Sequence, residues 1–343
     1  MNQKFNFFRL QLADGKKWLF NGQGFSLVNT DGVMRAFLIA VVYMSVSSIC
    51  QSGFAESIES EFLTNVSYDE CLENCCESSW MDGLEFFAGL EGSKQPQDFG
   101  VNAHMGTRVH VNYGSIIVPE WGLGLQVGTA INAGDHAVRV TSRVQGASAR
   151  TQSFTTFGLF QKSETGWTWG AVYDYLAEDD YNQFSLSQTR GRVSYRMTPD
   201  REVGFYGILP LTNATETWGA IPVELESIAQ GSQFYRQTWD NQSETSIWLG
   251  MAESHAQNNV ALGDQSRTPN VLIYGADFHV PLNSHIALFG EANFITPSDT
   301  GTVDAYLGFV YYPGGNAYGW RKLRNSPVLP VASNTSFSVD LRR

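Results

Sequence analysis

Two stretches decide the reading: VNAHMGTRVHVN at residues 101–112 and WGLGLQVGTAIN at residues 121–132. In the first, Val101, Ala103, Met105, Thr107, Val109 and Val111 alternate with Asn102, His104, Gly106, Arg108, His110 and Asn112. One set is apolar or neutral and the other polar or basic. A side-chain period of two is the mark of a strand with two different faces. In the second, Trp121, Leu123, Leu125, Val127, Thr129 and Ile131 alternate with a set rich in glycine. Such runs are about twice the common strand length of soluble sheets. They match the roughly 9–11 tilted residues that carry a strand across a bilayer.

Composition agrees. Of 343 residues, 43% are hydrophobic, 13% aromatic and only 16% charged, against about 25% charged in soluble domains. Yet the sequence holds no run of about 20 apolar residues that would make a membrane helix. Apolar residues dispersed on alternate positions are what a transmembrane barrel needs.

Strand patterns recur at about 83–91, 99–112, 121–132, 151–162, 167–177, 182–196, 202–212, 244–254, 271–281, 284–295, 302–312 and 334–342. These predict an all-β chain, a closed antiparallel up-and-down transmembrane barrel of about 12 strands. Ser232–Asp240 reads as a further strand or as loop, which widens the range to about 10–14. Long connections fall mostly after odd strands, as expected when both ends of the barrel start on one side. The gap at about 255–270 breaks that rule, which points either to an extended turn or to a slip of one in the count. Around Arg190-Gly191-Arg192 the hydrophobic phase changes, from Phe184 and Leu186 to Val193 and Tyr195, which predicts a β-bulge.

Ahead of the barrel, Arg35 precedes the apolar run Phe37–Ile49, followed by small residues at Gly53 and Ala55. This is the layout of an export signal over 34–55, cleaved after Ala55. Residues 1–33 then read as an upstream extension before a start at Met34. N-terminal sequencing that found them in the nascent product would reject this. Residues 56–82 form an acidic leader with no Lys or Arg, and 83–343 the barrel. Five of 22 basic and two of 34 acidic residues precede position 56, leaving 17 and 32. So acidic a chain lacks the footprint of a nucleic-acid binder. Cys71, Cys75 and Cys76 lie together in the leader, an odd number that reads as an intramolecular or intermolecular disulfide, with unpaired thiols and a three-ligand metal site as the rival readings.

No motif for a nucleophile, a nucleotide or a metal is evident, so no cofactor and no enzymatic activity are expected. The three carboxylates Glu178-Asp179-Asp180 read as a solvated turn rather than a calcium site. The glycines of 121–132 read as a flat luminal or packing face. The expected lumen-lining residues are Asn102, His104, Arg108, His110, Arg190, Arg192, Asp277, His279 and Glu291. In an open pore they set ion preference; in a closed one they pair across it. The expected setting is the outer membrane. Lipid is the partner there, with small solutes or ions and a homo-oligomer also open. The function read from this is a porin-like channel or a structural envelope protein. Two rivals are a secreted β-sandwich or jelly-roll binding module and, further off, a barrel lipase.

DGLEFFAGLEG at 82–92, FGVN at 99–102 and WGLGLQVG at 121–128 resemble an uncharacterised family of predicted outer-membrane β-barrel proteins from planctomycete-type bacteria. The resemblance covers about residues 82–343 and implies a signal peptide, a short leader and one barrel. It carries no activity and no functional residues. The chain departs from the usual barrel pattern by ending in Arg342-Arg343 rather than an aromatic residue.

Overall fold

A computed structural model describes residues 79–95, 103–138, 149–180, 183–218, 221–253, 270–296 and 302–342. All belong to one compact unit, Asn74–Arg343. The signal segment, the leader up to residue 78 with its three cysteines, and Asn102 lie outside the described residues.

Twelve antiparallel strands close into a barrel. In chain order they are β1 (Leu84–Lys94), β2 (Ala103–Val118), β3 (Leu123–Val138), β4 (Ala149–Lys162), β5 (Trp167–Asp179), β6 (Gln183–Thr198) and β7 (Arg201–Pro210). After an inserted hairpin, β8 (Asn213–Trp218) and β9 (Ile221–Ser227), the wall resumes with β10 (Gln230–Thr238), β11 (Glu244–Glu253), β12 (Asn270–Pro281), β13 (Ile286–Ile295) and β14 (Val303–Tyr311). Pairing of β1 with β14, Phe86 opposite Tyr311 through Lys94 opposite Val303, closes the ring. One closed wall, not two stacked sheets, excludes the sandwich.

Alternation sorts the side chains as the pleat requires. Leu90, Val109, Leu125, Ile131, Phe157, Phe205, Ile247, Leu272, Leu307 and Phe309 point outward and are exposed. Their neighbours Glu91, His110, Gln126, Asn132, Thr156 and Tyr306 point inward and are buried. A water-soluble protein of this kind would bury the first set; here it forms the outer surface. Trp121, Trp167, Tyr195, Trp239 and Tyr311 stand exposed near one rim. That is where amphipathic rings suit a lipid–water boundary. Tyr312, one residue further, faces inward and is buried.

The wall strand Gln230–Thr238 is the segment that the sequence left ambiguous. Counting it removes the anomaly in loop lengths. The strand ends that flank 95–102, 139–148, 180–182, 211–229, 254–269 and 296–302 all lie at one rim, and those that flank 119–122, 163–166, 199–200, 239–243 and 282–285 at the other. The first is the long-loop rim and the second the short-turn rim.

Two sequence expectations are corrected. Residues 334–342 are not a wall strand. Only Val339–Arg342 is extended, as β15, and it pairs with β9 outside the barrel sheet, in the order β15-β9-β8. The last wall strand is β14, which closes on Phe309-Val310-Tyr311, so the aromatic ending belongs to an internal position. Nor is there a bulge at Gly191, where β5 and β7 pair with β6 in continuous register. The phase changes because Leu186 faces inward into an apolar cluster, whereas Val193 and Tyr195 face outward.

Between β14 and β15 the chain enters the barrel. Residues 312–338 start at the short-turn rim, where Tyr312 N–H donates to the His285 carbonyl (2.7 Å). They run the length of the lumen to the long-loop rim, where Gln95 Nε2 donates to the Phe337 carbonyl (3.1 Å). This segment is a plug.

Candidate functional site: the plugged lumen

The plug from Asn325 to Ser338 carries no charged side chain, whereas the wall around it is charged. Its backbone is satisfied by wall side chains instead of a strand partner, as buried peptide groups must be. Gln126 on β3 behaves like a peptide unit. Its Nε2 donates to the Leu329 carbonyl (2.9 Å), and its Oε1 accepts from Val328 and Leu329 N–H (3.3 Å each). Arg108 Nη2 donates to the carbonyls of Ala332 (2.9 Å) and Val331 (3.4 Å). Arg190 Nη2 donates to the Pro330 carbonyl (2.8 Å) and to Asp174 Oδ1 (2.9 Å), and its Nε also meets Asp174. Thr156 Oγ1 accepts from Ala332 N–H (3.0 Å) and donates to Asp174 (2.7 Å). Arg108 and Arg190 are both fully buried.

At the long-loop rim the plug ends in an amide cluster. Asn334 Nδ2 donates to Glu91 (2.7 Å) and to Gln152 Oε1 (2.8 Å); Gln152 Nε2 in turn donates to Glu178 (2.8 Å). Thr335 Oγ1 donates to Glu291, which also accepts from Tyr306 (3.0 Å). Beneath the β8–β9 hairpin, Val331, Ala332, Phe337 and Val339 pack with Phe154, Leu176, Leu186, Val223 and Leu225 in a dry cluster. At the short-turn rim Lys162 donates to the carbonyls of Arg321 (3.1 Å) and Leu323 (2.7 Å) and bonds the Ser326 hydroxyl. Tyr312, Ala317 and Trp320 pack there with Phe87, Phe289 and Val310.

The glycine face of β3 now has a reason. A Cβ on Gly128 would run into the Val331 side chain of the plug, and one on Gly124 into the Phe160 ring.

The residues singled out from the sequence fall into three groups. His104 is buried at the long-loop rim, with Nε2 3.7 Å from Asp180. Arg108 and Arg190 hold the plug at mid-lumen, and Glu291, bonded to Thr335, also borders the cavity described next. His110, Arg192, Asp277 and His279 line a cavity of about 100 Å³ between plug and wall towards the short-turn rim. Around it, His110 stacks on Phe87 (4.9 Å) and His279 Nε2 meets the Tyr312 hydroxyl (2.9 Å). Burial, then the nearby Glu85 carboxylate, push the Tyr312 phenol well above its ordinary range, so it stays protonated.

The same cavity holds Lys162, Glu202, Arg236 and Arg321, which sequence reading missed. Glu202 accepts from Arg192 (2.9 Å) and Arg236 (2.8 Å). Arg321 Nη1 reaches Asp277 (3.3 Å) and its Nε Glu244 (3.5 Å). Burial alone would lower the Arg321 pKa; Asp277 and Glu244 outweigh it and raise it. Arg192 lies over the Phe234 ring at 4.2 Å, within cation–π range. Arg236 was hidden because its strand was ambiguous, and Arg321 because nothing in its local sequence says that it enters a barrel.

Neither a neighbouring Ser and His nor the carboxylate run at 178–180 gathers a site. Ser284 Oγ lies 2.9 Å from His285 Nδ1, but both belong to a four-residue turn. Asn283 Oδ1 accepts there from the backbone N–H of His285 (2.8 Å) and Ile286 (2.9 Å). That is turn chemistry. Glu178 pairs with Arg150 (2.9 Å). Among the described residues no group of three His, Cys, Asp or Glu side chains is arranged to hold a metal.

Residues 83–339 match a single family model. The chain belongs to DUF6666, a family of unknown function. No curated protein sequence matches this DUF6666 member. Solved structures similar to it are barrels. Outer membrane phospholipase A from Escherichia coli is 8% identical with a TM-score of 0.38, over 66% of this chain and 95% of that one. The NanC porin is 10% identical with a TM-score of 0.41, over 66% and 98%. The toluene transporter TbuX of Ralstonia pickettii is 11% identical with a TM-score of 0.41, over 67% and 89%.

Proposed function

We propose that this protein is an outer-membrane β-barrel whose lumen is held shut by residues 312–338. Its role is that of a structural or gated envelope component, not a permanently open porin. The observation that carries the reading is the pairing of a charged wall with the uncharged stretch 325–338 of the plug. Arg108, Gln126, Thr156 and Arg190 spend their hydrogen bonds on plug backbone. Lipid contact is supported by the outward apolar belt and the aromatic rim, which would be costly to expose to water. Export through the 34–55 signal, with the leader left on the far side of the inner membrane, belongs to the same reading.

Two measurements test it. After membrane fractionation, the full chain is expected in the outer-membrane pellet, migrating differently on SDS gels before and after boiling. Recovery in the soluble fraction with no heat shift would sink the membrane assignment. In planar bilayers the full chain should conduct little. Steady porin-sized conductance from the intact chain would remove the plug as a closure.

A further inference from the structure

We infer that the cavity at the short-turn end of the lumen is a binding site for a phosphate-sized oxyanion. Lys162, Arg192, Arg196, Arg236 and Arg321 all line it. Gathering like charges in a partly desolvated space costs free energy unless anions balance them. Four carboxylates line it too, and each has its own partners: Glu202 is shared between Arg192 and Arg236, Asp277 (with Glu244 nearby) serves Arg321, Glu85 accepts from Asn112, and Glu291 accepts from Thr335 and Tyr306. Lys162 is spent on the plug. Two guanidinium groups keep donors unspent. Arg192 Nε is buried with no hydrogen-bond partner, and the exposed Arg196 makes no ion pair among the described residues.

The cavity also has the size and the access. A water needs about 10–15 Å³ of such volume, so about 100 Å³ holds several waters, or one anion of phosphate size. Gly166 and Arg196 border it at the short-turn rim, which gives an entry independent of the plugged passage. Planar guanidinium forks match the oxygen edges of phosphate or carboxylate better than they match a halide. The inference stands whether or not the barrel ever conducts.

The test uses the full chain in detergent micelles. Its thermal unfolding is followed while inorganic phosphate replaces chloride at constant ionic strength. Phosphate is expected to raise the Tm, and chloride not to. In Arg196→Gln the phosphate concentration for half the effect should rise about tenfold, the worth of one charge-assisted hydrogen bond. Arg192→Gln should do the same or more. If it fails to fold, the exposed Arg196 variant still decides. Lys94→Gln, at the opposite rim, should match the parent. Glycerol phosphate acting as well as phosphate identifies the end group of a larger solute as the ligand; a weaker effect identifies the free anion. Equal shifts with phosphate and chloride, or a phosphate effect unchanged in both arginine variants, would overturn the proposal.

Discussion

At the scale of single residues, the plug is held because the buried charges that grip it are themselves paired. Arg190 is the clearest case, since Asp174 and the Pro330 carbonyl both depend on it. Replacing it with Met strands a buried carboxylate, and losing one partner of a buried pair costs about 3–5 kcal/mol. Arg190→Met should therefore lower the urea midpoint sharply. The double variant Arg190→Met with Asp174→Leu should recover most of the loss, because no charge is then left unpaired. Failure of the double variant to recover would show that the Thr156 and Gln188 bonds to Asp174 dominate. Arg108 tests a different point. Arg108→Glu sets a carboxylate against the Val331 and Ala332 carbonyls. That repulsion should loosen the plug, and bilayer conductance should rise above the parent's. Conductance equal to the parent's would mean that Arg108 is not needed to hold the plug.

At the scale of elements, plug and wall are separate structures joined only past Tyr311. Deleting residues 313–343 should leave a barrel that still shifts on heating but conducts ions. In that background Arg108→Glu should move ion preference toward cations, since the residue then faces water. A milder variant is Gly128→Leu, whose side chain would occupy the space of Val331. It should raise conductance with little loss of wall stability, and conductance identical to the parent's would show that the plug can shift past it. The same division explains what the sequence could tell. Wall strands were legible because lipid outside and polar groups inside impose a period of two, as in Val109 against Arg108. The plug has no such period. Its backbone bonds go to side chains distant in sequence, such as Gln126 with Leu329, so no local pattern announces it. Phe337, Val339 and Leu341 do alternate, and Val339 and Leu341 do pair as a strand, but with β9 and not with the wall. Strand β10 was ambiguous for a related reason. Its inward side carries Phe234 and Arg236, while its outward side carries Gln233, Tyr235 and Gln237 rather than aliphatic residues. The cavity residues were only half legible. Arg192, Asp277 and His279 sit on readable strands, whereas Arg321 comes from the plug.

At the scale of the whole molecule, the outer belt has a polar interruption on β10. Gln233 is level with Phe205 and Leu249, both exposed and apolar. An amide turned toward hydrocarbon is costly unless a partner receives its hydrogen bonds. If copies of the chain associate, this side of the wall is where they should meet. Cross-linking in detergent is expected to give a dimer that Gln233→Leu weakens; a dimer indifferent to that change would place the contact elsewhere.

The plug also turns the protein into a topological object, a ring threaded by its own chain. The ring is sealed where β1 meets β14, and the thread is fastened beyond it where β15 meets β9. Residues 312–342 follow every wall strand in the chain, so the ring is complete in sequence before the thread exists. The seam must then stay open until the thread is laid in, or the thread must slide through a sealed ring. Either route makes the charged interior the last part of the molecule to dry. Refolding should accordingly show two stages, a wall that resists SDS first and a closed lumen later. The chain lacking residues 313–343 should show only the first.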